Sequence, residues 1–394
     1  MTSPSLSISP QAAAAPASGI AAVMKHGFGR SDIVPLWVGE GDLPTPALIC
    51  RAAAAALERG ETFYVPQPGI PELRQALARY HDRVYGGLFG KPFEPGRFFV
   101  TGSGMQAIQL AVRIVAGVGE EILVPTPAWP NFPASVGVAG AHAREVAMRF
   151  DPAGWTLDLD LLEASISPRT RAIFLNSPSN PTGWTADPLL LQAMLDLSRK
   201  HDLWIIADEV YGRFTYSKAL AAPSLHSLVT EDDRVLFVNT FSKNWAMTGW
   251  RIGWIEAPAG LGPTIENLIQ YSTSGVAAFM QRAACAALDD GEAFLAAQTE
   301  RCRRGLECVA SALSTSSRIE FAPAGAFYLF FRIDGITDST AFAERLLRET
   351  GVGLAPGRAF GMAGEGYFRL CFARDAQALS TAAERLLALL DHDA

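Results

Sequence analysis

Cysteine is scarce in this 394-residue chain, which has only five, with no CxxC pair among them. Cys50, Cys285, Cys302, Cys308 and Cys371 are odd in number and scattered through a chain too large to need disulfide stapling, so a reducing compartment fits best. Apolar runs long enough to cross a bilayer are also missing. The long uncharged stretch over 122–143 is broken by Pro125, Pro127, Pro130, Asn131 and Pro133. The opening MTSPSLSISPQAAAAPASG has no continuous apolar core, and no Lys or Arg precedes Lys25, so it does not read as a secretory signal. A cytoplasmic location is therefore expected. Positive charge is in deficit, with 33 Lys plus Arg against 40 Asp plus Glu and a net charge of -7. That balance repels phosphate backbones and anionic lipid, so neither nucleic acid nor membrane is an expected partner, and any anion site must be local. No internal repeat is visible.

What is present is a globular balance, 49% hydrophobic and 19% charged. The length suggests two or three domains at about 150 residues each. Residues 1–18, rich in Ala, Ser and Pro without periodicity, read as a flexible arm. From 46 onward helices and strands alternate. PALICRAAAAALERG stops at Gly60 and PELRQALARYHDRVYGG starts on Pro71, both as helices. Strand candidates are FFV (98–100), EILV (121–124), REVAM (144–148), AIFL (172–175), LWIIA (203–207), VLFV (235–238) and RIGWI (251–255). Helical MQAIQLAVRIVAG and PLLLQAMLDLSRKH fall between them, which predicts an α/β fold with a mostly parallel sheet covered on both faces. Beyond about 260 come long helical stretches over 263–290 and 291–313. After them follow AFYLFFRI, a helix near 338–350, YFRLCFA and a last helix to 391, the pattern of a smaller α+β lobe. The expected division is 19–46 with the small domain, 47–288 as the large domain and 289–394 as the rest of the small one.

Four segments carry chemistry. TGSGMQA (101–107) follows a strand and opens a helix, where backbone N–H groups and the positive dipole end can approach a phosphate. It imitates a dinucleotide fingerprint, but Glu120 and Glu121 sit at the start of the next strand rather than at a strand end where a ribose-binding acid belongs. In TFSKNWAMTGWRIGW, Lys243 lies just past a buried strand, with Arg251 eight residues on. A solvated loop lysine is the ordinary reading; a desolvated, cation-adjacent amine would instead be nucleophilic. IIADEVYGRF delivers Asp208, Glu209 and Tyr211 at the C-terminal end of a strand, and LNSPSNPTGW ends another in a tight turn.

In this order and spacing the motifs resemble the fold type I, class I aminotransferases of the aspartate aminotransferase superfamily, which use pyridoxal 5'-phosphate. The resemblance runs from LWVGEGDLPTP (36–46) through YVPQPGIPELR, TGSGMQA, PTPAWPNF, NPTG, DEVY, FSKNWAMTGWRIG and PAGAFYLF to GYFRLCFA (366–373). It implies a large domain with a seven-stranded sheet that binds the coenzyme, and a homodimer with shared active sites. Lys243 would carry the coenzyme and shuttle the substrate α-proton. Asp208 would pair with the pyridine nitrogen, and Tyr211 and Asn180 with the phenolic oxygen. Trp129 and Val210 would sandwich the ring. Ser103, Gly104, Met105, Thr240 and Arg251 would hold the phosphate, joined by Tyr64 from the neighbouring subunit. Arg369, with Gly39 and Asn180, would grip the substrate α-carboxylate. No metal is implied.

Members acting on acidic substrates need a second cation. Met105 stands where some carry lysine, and from Ala257 to Gln281 there is no Lys or Arg. Transfer between neutral or aromatic L-amino acids and 2-oxo acids by a ping-pong route is therefore expected over aspartate, with Trp37, Trp129 and Phe28 near the side chain. Arg30 or Lys25 would be the cations left for a distal carboxylate. Carbon–sulfur β-lyase or other pyridoxal phosphate chemistry on the same fold is the alternative. A transcriptional regulator is disfavoured, because only about 35 residues precede LWVGEGD, too few for a winged helix.

Overall fold

The computed structural model describes residues 8–322 and 325–392. All seven strand candidates form strands of one sheet: β1 Phe98–Thr101, β2 Glu121–Thr126, β3 His142–Ala147, β4 Thr170–Asn176, β5 Trp204–Asp208, β6 Val235–Thr240 and β7 Gly253–Glu256. Their order across the sheet is β1-β7-β6-β5-β4-β2-β3. Every pairing is parallel except those of β7, which runs antiparallel to both β1 and β6. The C-terminal ends of β1, β4, β5 and β6 and the start of β7 thus share one edge of the sheet, the edge where ligands gather in open α/β folds.

Four helices border this edge or pack behind it: α1 Gly19–Lys25, α2 Ala47–Glu58, α3 Pro71–Tyr85 and α4 Gly104–Val115. Pro71 occupies the first turn of α3 and Gly86, at φ 80°, ends it in the left-handed conformation that favours glycine. One face of the sheet packs on α4 through Ile108, Ala111 and Val112 against Ile122, Ile206 and Val238. The chain after 290 builds a four-stranded antiparallel sheet from 319–320, 328–333, 355–356 and 367–371, flanked by helices Glu292–Leu313, Ser339–Thr350 and Ala376–His392. Val34–Pro35 pairs with Val352–Gly353, which ties the N-terminal segment to this lobe. Among the described residues no helix is long and apolar enough to cross a membrane.

Three expectations change. The single helical stretch over 263–290 is two helices, Gly262–Gln270 and Ala278–Asp290. Between them Ser272 and Ser274 turn their hydroxyls onto backbone carbonyls of the preceding turn, and Ser274 and Gly275 take φ values of 57° and 99° that no helix continues through. The strand expected over 251–255 starts only at Gly253, because Arg251 is left-handed at φ 53°. Of the arm expected over 1–18, residues 1–7 lie outside the described residues. Pro10–Ala13 form one helical turn capped by Ser9, and Ser18 caps α1.

A Cβ on Gly253 would stand 2.7 Å from both the Asn239 carbonyl oxygen and the Gly104 nitrogen, so this close approach requires glycine. Gly253→Ala is expected to destabilise the chain by about 2 kcal/mol in urea unfolding; an unchanged midpoint would contradict the packing described.

Candidate active site

The shared sheet edge opens into a cavity of about 400 Å³. Strand ends supply Asn176 from β4, Asp208 from β5 and Thr240 from β6, and the turns just beyond add Asn180, Val210, Tyr211, Ser242, Lys243 and Arg251. Gly104 and Met105 open α4 on one side, while Tyr328 and Arg369 come from the small sheet. Trp129 and Asn131 line it from the segment after β2, Trp37, Val38 and Gly39 from the N-terminal segment, and Ser18, Ile20, Ala21 and Met24 from α1 and its cap.

Lys243 sits in the short helix Phe241–Asn244, and its Nζ donates to the Gly39 carbonyl at 2.6 Å. Burial, with Arg369 and Arg251 nearby, lowers its pKa to about 8. Gly39 is close-packed there, since a Cβ would fall on the Tyr328 hydroxyl. The Asp208 carboxylate is buried with a single hydrogen bond among the described residues, from the Val210 N–H at 3.3 Å, and burial, opposed by Lys243 nearby, raises its pKa to about 7. Among the described residues it makes no ion pair. Its backbone carbonyl accepts from Asn176 Nδ2 at 3.0 Å, and Asn176 Oδ1 in turn accepts from the Asn180 N–H at 2.8 Å, which joins two strand ends into one frame.

Tyr211 and Tyr328 face each other with hydroxyls 2.7 Å apart, and burial raises both pKa values. Arg369, only 3% exposed, donates from Nη1 to Asn180 Oδ1 at 2.8 Å and from Nη2 to the Trp37 carbonyl. Its guanidinium lies 4.5 Å from the Tyr328 ring centre and 4.9 Å from that of Phe360, and its Nε has no partner. At the other end of the cavity Thr240 Oγ1 donates to Ser242 Oγ at 3.0 Å and to the Ile252 carbonyl at 3.1 Å. Arg251, exposed, donates to the Thr248 carbonyl at 2.6 Å. Together with the N-terminus of α4 these groups form an anion cradle.

Twelve of the fourteen residues given a coenzyme or substrate role from sequence therefore line one cavity: Gly39, Gly104, Met105, Trp129, Asn180, Asp208, Val210, Tyr211, Thr240, Lys243, Arg251 and Arg369. Ser103 does not line it; its hydroxyl is turned to the Gln106 N–H at 3.1 Å, capping α4, and its backbone is held at φ 130°, a strained value for a residue with a side chain. Tyr64 is 93% exposed and also outside the cavity. Neither Phe28, Lys25 nor Arg30 lines it, and Arg30 is engaged by Asp32 and the Leu347 carbonyl. Sequence reasoning missed Tyr328, Ser242, Asn176 and the α1 side chains. Tyr328 lies within a quoted motif, PAGAFYLF, but a tyrosine in an apolar strand reads as core.

The residues present fit a phosphorylated, ring-nitrogen coenzyme. A half-buried amine of lowered pKa, a buried carboxylate without an ion pair and an anion cradle share one space. The model for aminotransferase class I and II matches residues 31–386. An aspartate aminotransferase of Pyrococcus abyssi is 35% identical over 362 residues, covering 91% of this chain and 92% of that one. Aromatic-amino-acid aminotransferase 2 of Thermococcus litoralis is 34% identical over 361 residues, at 91% and 92% coverage. The structure of aspartate aminotransferase from Thermus thermophilus with maleate superposes with a TM-score of 0.90 at 32% identity, covering 98% of this chain and all of that one. The chain belongs to the class I and II aminotransferases, pyridoxal-phosphate-dependent transaminases of the aspartate aminotransferase superfamily.

The two shifted groups make a signed prediction for the coenzyme-free protein. Between the unfolded value of 3.8 and the folded value of about 7, only the folded chain keeps the proton on Asp208, so stability falls as pH rises through this window. Wild type should lose up to about 4 kcal/mol relative to Asp208→Asn from pH 4 to 7. Lys243 acts oppositely: from about 8 to 10.5 only the unfolded chain holds its proton, so stability rises with pH. Parallel stability curves for wild type and Asp208→Asn would contradict this placement of the carboxylate.

Proposed function

We propose that this chain moves an amino group between an L-amino acid and a 2-oxo acid in two half-reactions, with pyridoxal 5'-phosphate held covalently at Lys243. The observation that carries the reading is the meeting of half-buried Lys243 and buried Asp208 in one cavity whose wall also presents Arg369. When bound, the coenzyme supplies a ring that absorbs the negative charge developing at the substrate α-carbon. Asp208 would pair with the ring nitrogen and favour its protonated form. Lys243 Nζ would take the substrate α-proton and later return it, the double role that an amine with a pKa of about 8 can fill near neutrality. Tyr211 and Asn180 hold the phenolic oxygen, while Trp129 and Val210 pack on the ring. Gly104, Met105, Thr240 and Arg251 take the phosphate; Ser103 contributes through the backbone and by capping α4. Tyr328, hydrogen-bonded to Tyr211, keeps that hydroxyl aimed.

Arg369 holds the substrate α-carboxylate, with Gly39 giving room and Asn180 steadying the guanidinium. The cations lining the cavity among the described residues are Lys243, Arg251 and Arg369, all of them already engaged. Ile20, Met24, Trp37, Val38 and Met105 make much of the remaining wall apolar, with Ser18 and Asn131 as uncharged polar groups among them. This supports neutral or aromatic substrates over aspartate; the relatives' names include both kinds. Exposed Tyr64, with Phe63 and Tyr271 also exposed, supports a homodimer in which Tyr64 reaches the partner's phosphate. We also take 19–46 and 289–394 as one small domain around 47–288, supported by the Val34–Val352 pairing, and place the enzyme in the cytoplasm, supported by five unpaired thiols.

Borohydride reduction should fix the coenzyme to wild type and not to Lys243→Ala; equal labelling of both would remove Lys243 from its role. Arg369→Lys should lower kcat/KM by about 100-fold, because an ammonium cannot reproduce the planar fork. Initial rates should rank phenylalanine or methionine above aspartate, and a strong preference for aspartate would overturn the specificity reading.

A further inference from the structure

Behind the sheet edge, helix α3, the turn Leu225–Ser227 and strand β7 bring together three side chains that amino transfer does not use: His81, His226 and Glu256. They are 1%, 3% and 0% exposed, and one ligand atom from each lies within 4.8 Å of the others. Glu256 Oε2 is 2.7 Å from His226 Nε2 and 3.6 Å from His81 Nδ1. Ligand atoms around a tetrahedral zinc stand about 3.3 Å apart, a value that these two separations bracket.

Two observations point to a ligand rather than to a plain ion pair. His81 is fully enclosed by Phe93, Phe98 and Trp254, yet neither of its nitrogens has a hydrogen-bond partner. Buried polar atoms without partners are rare, and this one faces the shared carboxylate. The surroundings also orient the set as outer partners orient metal ligands. Arg97 Nε holds the second oxygen of Glu256 at 3.2 Å, leaving Oε2 to the imidazoles. The Nδ1 of His226 is 2.7 Å from Ser224 Oγ, which is 2.7 Å from Glu209 Oε1, so Nε2 is aimed inward. Glu209 in turn accepts from the Tyr85 hydroxyl at 3.3 Å.

We propose that His81, His226 and Glu256 bind one zinc-type divalent cation that fastens α3 and the 225–227 turn to β7. Two imidazoles and a carboxylate form a ligand set suited to zinc, and a water carried in with the ion would fill the fourth position. The ion displaces the proton shared by His226 and Glu256, which is released to solvent, and no redox change is involved. A site this enclosed is loaded as the chain folds. It is structural and separate from the coenzyme pocket, none of whose lining residues it shares.

The test uses full-length holoenzyme purified without chelators or immobilised metal. Wild type should carry about one equivalent of zinc per chain by mass spectrometry of the metal. After unfolding with chelator, refolding with zinc and coenzyme should give a Tm about 5 °C above refolding with coenzyme alone. Refolding with cobalt(II) should give ligand-field bands in the visible, a readout that needs no variant. His81→Leu, which removes a ligand but leaves the Glu256 pair with His226 and Arg97 intact, should hold less than about a tenth of the metal and show no zinc-dependent Tm. Absence of metal and of cobalt bands in refolded wild type would overturn the proposal. So would a His81→Leu protein that retains a full equivalent, or wild type whose Tm ignores zinc.

Discussion

Two ionisable side chains, half-buried Lys243 and buried Asp208, face the same cavity with no ion pair to either among the described residues, and the rest of the site is arranged around them. Burial is the largest cause that brings the amine down to about 8 and the carboxyl up to about 7. Each shift is a cost to the empty chain, which in the proposed function a coenzyme with an electrophilic carbon and a protonatable ring nitrogen would remove. Binding and folding therefore share one energetic cause. The same burial leaves the amine free enough of its proton near neutral pH to act as a base.

The sheet makes this possible by geometry. Six strands end on one edge, so Asn176, Asp208 and Thr240 arrive side by side from segments spread over more than sixty residues. The antiparallel β7 begins on that edge, and the bare backbone of Gly253 lets it lie against the start of α4. Arg369 and Tyr328 come from the small sheet, and α1 closes the remaining side with apolar groups. The substrate-facing wall is thus assembled from parts of the chain that a change in the position of the small lobe would move together.

Much of this is legible in the chain itself. Short apolar runs mark all seven strands because strands buried on both faces read as continuous hydrophobic segments. The motif residues at strand ends converge as expected because strand ends share an edge. What escapes reading depends on local or long-range detail. The break at 271–277 comes from hydroxyls that compete for helix carbonyls, and its apolar spacing hides it. The capping of α4 by the Ser103 hydroxyl, which accepts from the Gln106 N–H, is a local geometry that the motif does not announce. Tyr328 looks like core until its hydroxyl is seen against Tyr211. The meeting of His81, His226 and Glu256 joins positions spread over 175 residues and leaves no spacing signature at all.

Covalent capture of a coenzyme by the buried amine is the event on which every other role in the site depends, and the visible absorption spectrum reads it directly. Purified protein incubated with pyridoxal 5'-phosphate should turn yellow, and a single L-amino acid with no oxo acid present should bleach the colour, which a 2-oxo acid then restores. A protein that stays colourless with excess coenzyme, or whose colour no amino acid changes, would contradict it.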